Sequence, residues 1–199
     1  MATIKYFSDP FEYCIAKDSI LTNYCTDLFH KCNNTPKDYN RMYVNGIEQH
    51  NDGVPNVIME PDCFSLLHDL IEEIKTKYFN KNLPKGKWSF NIAETNLSDT
   101  APNLDPHTDD PELLYSEGAE YPGYLKFLVY LADDIQYQDY GTKLYTEDNL
   151  KFKLNKEIPF KNGTVFVWRT GPNSWHGTDF CTTRKHRRFF ICGEYIKNE

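Results

Sequence analysis

An α+β fold that is mainly β is what this sequence predicts, and two observations predict it. Helical periodicity is confined to the first 80 residues, whereas short alternating or apolar runs occupy the last 115. Those runs make some seven or eight short strands separated by turns, which suit a β-barrel, a sandwich or a jelly roll. Helices first and strands after indicate helices backing a sheet core. At 199 residues the chain fits one domain and can bury a sizeable core. We read 1–199 as that domain, with a helical support region over 1–86 and the sheet core over 87–199.

Composition narrows the function classes. Hydrophobic residues make up 40%, with 14 Tyr, 13 Phe and 3 Trp, an aromatic load that belongs to a folded chain. The net charge of −7 argues against general nucleic-acid binding, which needs a basic surface. No run of about 18 apolar residues predicts a membrane span, and the N-terminal Met1-Ala2-Thr3-Ile4-Lys5 lacks the apolar core of a signal peptide. We therefore expect a cytoplasmic protein. Cys14, Cys25, Cys32, Cys63, Cys181 and Cys192 show no metal spacing and read as buried or free thiols in a reducing compartment.

Along the chain, Ser8-Asp9-Pro10 can start a helix, since Pro is tolerated in the first turn. That helix breaks near Asp18 and resumes over 19–31, where Ile20, Leu21, Tyr24, Leu28 and Phe29 fall at helical spacing. A short strand is expected at Met42-Tyr43-Val44, before Asn45-Gly46. Pro61-Asp62 opens the clearest helix, with Phe64, Leu66, Leu67, Leu70, Ile71, Ile74 and Tyr78 as its apolar stripe. His68 has no second ligand at helical spacing and reads as a packed or surface residue. Strands are expected over 88–94, 123–132, 141–145, 150–154, 164–168, 174–178 and 187–196, with a tight turn at Asn162-Gly163.

The chemistry gathers in two stretches, Asp105-Pro106-His107-Thr108-Asp109-Asp110-Pro111 and Ser174-Trp175-His176-Gly177-Thr178. Two imidazoles and one carboxylate form the 2-His-1-carboxylate ligand set of non-heme Fe(II). His-x-Asp by itself is a common turn pair. An extended backbone through His107-Thr108-Asp109, however, aims both side chains at one point. His176 lies in an apolar, aromatic strand, where a neutral imidazole suits either a metal ligand or a satisfied core residue. Arg187-Arg188 opens the apolar run Phe189-Phe190-Ile191-Cys192, so one of the two should point inward. A buried guanidinium needs an anion, and a dicarboxylate would supply it. The other arginine is expected at the surface.

These residues together resemble the Fe(II)- and 2-oxoglutarate-dependent dioxygenases, over roughly residues 88–196. The order is His107-x-Asp109, then His176, then a strand-opening arginine 11 or 12 positions later. Leu128-Val129-Tyr130-Leu131 and Tyr140-Gly141-Thr142-Lys143-Leu144 resemble the Tyr-Leu strand and Gly-Gly-Thr turn of the prolyl 4-hydroxylase-like branch, with Tyr140 replacing the first Gly. The resemblance implies a double-stranded β-helix (jelly roll) core, with N-terminal helices packed on the outside of one sheet. It implies His107, Asp109 and His176 as iron ligands. It implies Tyr130 and either Arg188 or Arg187 as 2-oxoglutarate contacts: aligning Tyr195 with the family's aromatic at the strand end favours Arg188, the shorter spacing from His176 gives Arg187, and parity alone does not separate them. Fe(II), 2-oxoglutarate and O2 are the cofactors it implies, with ascorbate as a candidate stimulant.

Hydroxylation of a C–H bond in a protein or peptide side chain, giving succinate and CO2, is the activity expected first. A small-molecule or free amino-acid hydroxylase is the alternative within the superfamily, followed by a nucleobase oxygenase. A non-catalytic metal-binding jelly-roll module is the alternative outside it. The acidic segment 109–120 could form a lid for a cationic substrate or be a solvated loop, with Tyr115 and Tyr121 as candidate substrate contacts.

Overall fold

The structure is a computed structural model that describes residues 2–35, 42–44, 47–49, 57–79, 81, 83–94, 104–108, 124–133, 137–149, 151–178 and 188–197. Asp109, Arg187, Cys181, Tyr115, Tyr121 and the acidic segment after Asp109 lie outside the described residues.

The first helix does not begin where the sequence suggested. Residues around Ser8-Asp9-Pro10 form the turn between two strands, β1 (Thr3–Phe7) and β2 (Tyr13–Lys17), which pair antiparallel. The competing gain is tertiary. β2 buries Tyr13, Cys14 and Ala16 against the protein, which helical turns at that place could not do. Helix α1 (Ser19–Asn34) starts at the expected break, because the Asp18 carboxylate accepts the Ile20 and Leu21 backbone N–H groups. It buries Leu21, Cys25, Leu28, Phe29 and Cys32 on one side.

The expected strand at Met42–Val44 is β3, paired with β4 (Ile47–Gln49). Helix α2 (Pro61–Ile74) has Pro61 in its first turn and buries Cys63, Leu67, Leu70, Ile71 and Ile74, running on as a π-helical turn at Lys75–Phe79. Its buried stripe is narrower than the sequence suggested. Cys63 takes the inner place, and Phe64 is 43% exposed, stacked with His68 and tilted against Phe90. His68 is thus a surface residue beside an aromatic pair.

The remaining strands are β5 (Gly86–Trp88), β6 (Asn91–Glu94), β7 (Leu104–His107), β8 (Leu125–Leu131), β9 (Tyr137–Asp148), β10 (Lys151–Phe160), β11 (Thr164–Arg169), β12 (His176–Thr178) and β13 (Phe189–Lys197). They form two antiparallel sheets. The larger runs β1-β2-β11-β8-β13-β5, with β6 also on β13, and the smaller runs β10-β9-β12-β7. β9 and β10 are much longer than read from sequence. Lys151–Glu157 is exposed throughout and its lysines guard an outer edge; the alternation of Phe152 and Leu154 ends at Asn155-Lys156-Glu157, so nothing marks the second half of the strand.

The large sheet is covered on both faces. On one face Cys14, Phe127, Val129, Val165, Val167, Phe189 and Ile191 pack against α1 and α2. On the other, Tyr13, Tyr130, Phe166 and Trp168 meet Leu144, Ile158 and Phe160 of the small sheet. Period 2 assigns neighbours to opposite faces, so Val165 and Val167 go to the helices while Phe166 and Trp168 go between the sheets. The helices therefore lie on the outside of one sheet, as expected. Asn162-Gly163 turns the chain from the small sheet into β11, and Gly163 adopts φ 66° with its Cα against Thr22, where a Cβ has no room. Asn162 fastens that turn: Oδ1 accepts from Ala132 N at 3.0 Å, while Nδ2 donates to Thr22 O and Thr26 Oγ1.

The cysteines among the described residues are free thiols, and burial pushes up those of Cys14, Cys25 and Cys63. Burial pushes the Cys14 thiol from 9.0 to about 12 and the Cys63 thiol to about 11. A raised acid pKa holds the proton in the folded state, so this stability is whole below pH 9 and is lost as pH rises through 11–12. The urea midpoint should fall between pH 9 and 11, less steeply in Cys63→Ala. Equal slopes in the two proteins would refute the linkage.

Candidate active site

His107 closes β7 and His176 opens β12, and the antiparallel pairing sets them directly opposite each other. Their ring centroids are 4.5 Å apart with planes inclined at 48°. The predicted convergence of two imidazoles from distant stretches is thus present in the strand register. Asp109 lies outside the described residues, and among those residues no group of three metal-ligating side chains occurs.

His176 is 5% exposed and its tautomer follows from geometry. Nδ1 stands 2.8 Å from Ser174 O, and a carbonyl only accepts, so Nδ1 carries the proton. In the neutral ring the lone pair is then on Nε2, which is the atom a metal takes. Ser174 is itself held. Its backbone N–H donates to Gly171 O, its hydroxyl donates to Gly171 O at 2.8 Å, and Oγ accepts from Gly171 N at 3.0 Å. Trp175 points the other way along the strand and packs on Phe152, 4.8 Å between centroids.

Arg188 precedes β13 and is 5% exposed. It shares the inward face with Phe190, Cys192 and Glu194, while Phe189 and Ile191 join the helix-side core. Its guanidinium carbon lies 5.8 Å from the Tyr130 ring, 5.4 Å from Phe160 and 5.2 Å from Phe190. Arg187, the other candidate, lies outside the described residues.

Tyr130 is fully buried, and its hydroxyl donates to Thr142 Oγ1 at 2.6 Å. Burial pushes its phenol above the ordinary range, against the opposing pull of the Arg188 charge, so it remains a donor at neutral pH. Thr142, rather than Tyr130, lines the chamber, with Tyr130 one layer behind.

A chamber of about 480 Å³ joins these parts, lined by His107, His176, Thr142, Trp168 and Arg188. Its solvent end carries Lys126 and Glu194, opposite each other on β8 and β13 with Nζ and Oε2 3.7 Å apart. The arrangement can hold a cation between imidazoles and, farther in, the anionic end of a ligand against Arg188. Sequence reasoning did not assign Trp168, Thr142 or Ser174. Thr142 was visible as part of the Gly-Thr turn, but Ser174 acts through a backbone carbonyl, which no residue identity announces.

The Ser174 turn gives a direct test. Ser174→Ala frees the carbonyl that orients His176 and should weaken Mn(II) or Fe(II) affinity by about tenfold while Ser174→Thr restores part of it. Isothermal titration of each variant checks this, and unchanged affinity in Ser174→Ala would refute it.

No family model and no curated protein matches the chain. Solved structures do. A prolyl-4-hydroxylase from Pseudomonas putida superposes with a TM-score of 0.54 at 11% identity, covering 100% of this chain and 93% of that one. AviO1 from Streptomyces viridochromogenes superposes with a TM-score of 0.54 at 12% identity, covering 93% of this chain and 89% of that one. At these identities the likeness is one of fold, and it spans nearly the whole of each chain. The chain therefore shares the fold of a solved prolyl-4-hydroxylase, in line with the branch its sequence resembles.

Proposed function

We propose that the chain is a single-domain Fe(II)- and 2-oxoglutarate-dependent oxygenase on a double-stranded β-helix, hydroxylating a C–H bond of a protein or peptide side chain. The observation that carries this is the pairing of His107 with His176 at one end of a chamber that also holds the buried Arg188. The donor chemistry fits the group: a lone pair on His176 Nε2 suits a divalent metal, and a buried guanidinium suits a carboxylate. Asp109, two positions after His107, is the third ligand of this reading.

When bound, the metal and 2-oxoglutarate would supply the oxidative chemistry with O2 as the oxidant, one oxygen atom ending in succinate as CO2 is lost and the other in the substrate hydroxyl. The chain binds, orients and shields. His107, Asp109 and His176 hold Fe(II), and Ser174 O keeps His176 in its ligating tautomer. Arg188, or Arg187, neutralises the far carboxylate of 2-oxoglutarate, with Thr142 and Tyr130 as hydroxyl partners behind it. Phe160, Phe190 and Trp168 keep water from that end. No described helix is long and apolar enough to cross a membrane. The free thiols agree with a reducing, cytoplasmic setting.

Two alternatives remain distinct. A non-catalytic metal-binding module has no use for a buried arginine in the metal chamber. A free amino-acid or other small-molecule hydroxylase is favoured by one observation, the opposite charges of Lys126 and Glu194 at the solvent end, which together match an ammonium beside a carboxylate.

Anaerobic titration with Fe(II) and 2-oxoglutarate should give a weak visible charge-transfer band in wild type. The band should vanish in His176→Ala and need roughly a hundredfold more 2-oxoglutarate in Arg188→Ala. A band unchanged in Arg188→Ala hands the carboxylate to Arg187, and metal binding without any band in wild type leaves the metal-binding module. For the substrate, 2-oxoglutarate turnover stimulated by free amino acids, and abolished by Lys126→Glu, is the outcome of the small-molecule reading. Stimulation by internal peptide residues alone supports the peptide reading.

A further inference from the structure

Trp168 carries a contradiction that the oxygenase reading does not use. It lies on β11 facing the small sheet, is 3% exposed, and its ring meets His176 edge-on at 5.2 Å. Its Nε1 is buried and has no hydrogen-bond partner. An indole N–H can only donate, and leaving it unmade inside a protein is costly. Native proteins rarely tolerate such a donor without a role for it. Packing gives no reason for the choice here, because the same core between the sheets uses Phe160 and Phe166 where only bulk is needed.

The surroundings identify the missing acceptor. Trp168 pairs with Lys126 across the sheet and shares the chamber wall with His107, His176 and Arg188. Lys126 and Glu194 pair with each other at the solvent end, so the inner wall is characterised by the Arg188 guanidinium and the indole N–H, and the ligand that completes it is an acceptor-rich anion. We propose that Trp168 is a ligand-binding residue of the chamber, its indole N–H donating to a carboxylate oxygen of the oxo acid bound beside His176. This inference rests on the oxygenase reading and adds a contact to it.

Trp168→Phe keeps an aromatic ring and removes the donor. In anaerobic Fe(II) titrations the variant should need about tenfold more 2-oxoglutarate for half-maximal charge-transfer absorbance. Its Mn(II) affinity without oxo acid should equal that of wild type. Its metal-free melting temperature should be unchanged or higher, because a buried unmade donor has gone. On ¹⁵N-tryptophan-labelled, Zn(II)-loaded wild type, 2-oxoglutarate should move the indole proton signal missing in Trp168→Phe downfield, a readout that does not depend on how the variant folds. Unchanged 2-oxoglutarate affinity overturns the inference, as does an indole signal that 2-oxoglutarate leaves in place. Mn(II) affinity and melting temperature that fall together overturn it too, by making Trp168 a packing residue. No charge-transfer band in wild type overturns the oxygenase reading along with it, whereas a normal wild-type band with unshifted variant affinity overturns this inference alone.

Discussion

A sheet buried on both faces is the constraint from which the rest of the molecule follows. β2, β8, β11 and β13 have helices on one side and the small sheet on the other, so the residues along their central parts must satisfy one of two interiors. Alternation then sorts chemistry by parity. Odd-numbered residues of β13 such as Phe189 and Ile191 seal the helix side. Their even-numbered neighbours, with Arg188 before them, open on the chamber. One residue of slippage would send the guanidinium into an apolar helix interface and Phe189 into the chamber, so the register is held by the whole core.

The chamber is an exception to close packing, held open between two sheets that elsewhere interlock. Aromatic side chains from both layers, Tyr130 and Phe166 from one and Phe160 from the other, close its inner end. Polar groups there are embedded in that apolar frame: the Tyr130 hydroxyl reaches Thr142, and the His176 ring reaches Ser174 O. Such bonds are few, short and rigidly seated, which is the arrangement that holds ligating groups in place before a ligand arrives. Gly193 shows how tightly the frame is drawn around it. A Cβ there would fall 1.9 Å from Ser89 O and 2.7 Å from a Phe127 ring carbon.

Much of this was readable in advance, and the misses share a cause. The helical spacing of Leu21, Tyr24, Leu28 and Phe29 marks α1, although Ile20, counted with them, is exposed, and the apolar run of β8 marks a strand buried on both sides. By contrast, residues 3–17 carry no local preference strong enough to announce a hairpin, and they became strands because β11 offered an edge. β10 was underestimated beyond Leu154, because Asn155-Lys156-Glu157 breaks the alternation and Pro159 argues against a strand, while the backbone pairing that carries it on to Phe160 leaves no pattern in side-chain identity.

The sequence by itself determined the layered α+β class, the two histidine stretches and an arginine pair of which one should point inward, since these depend on periodicity and residue type; the burial of Arg188 came from the tertiary structure. Only the tertiary structure decided that His107 and His176 stand opposite each other, that Tyr130 reaches the chamber through Thr142, and that the Trp168 donor is left without an acceptor. Those are relations between segments far apart in the chain. They follow from strand pairing and layer packing, which close contacts that no local pattern encodes.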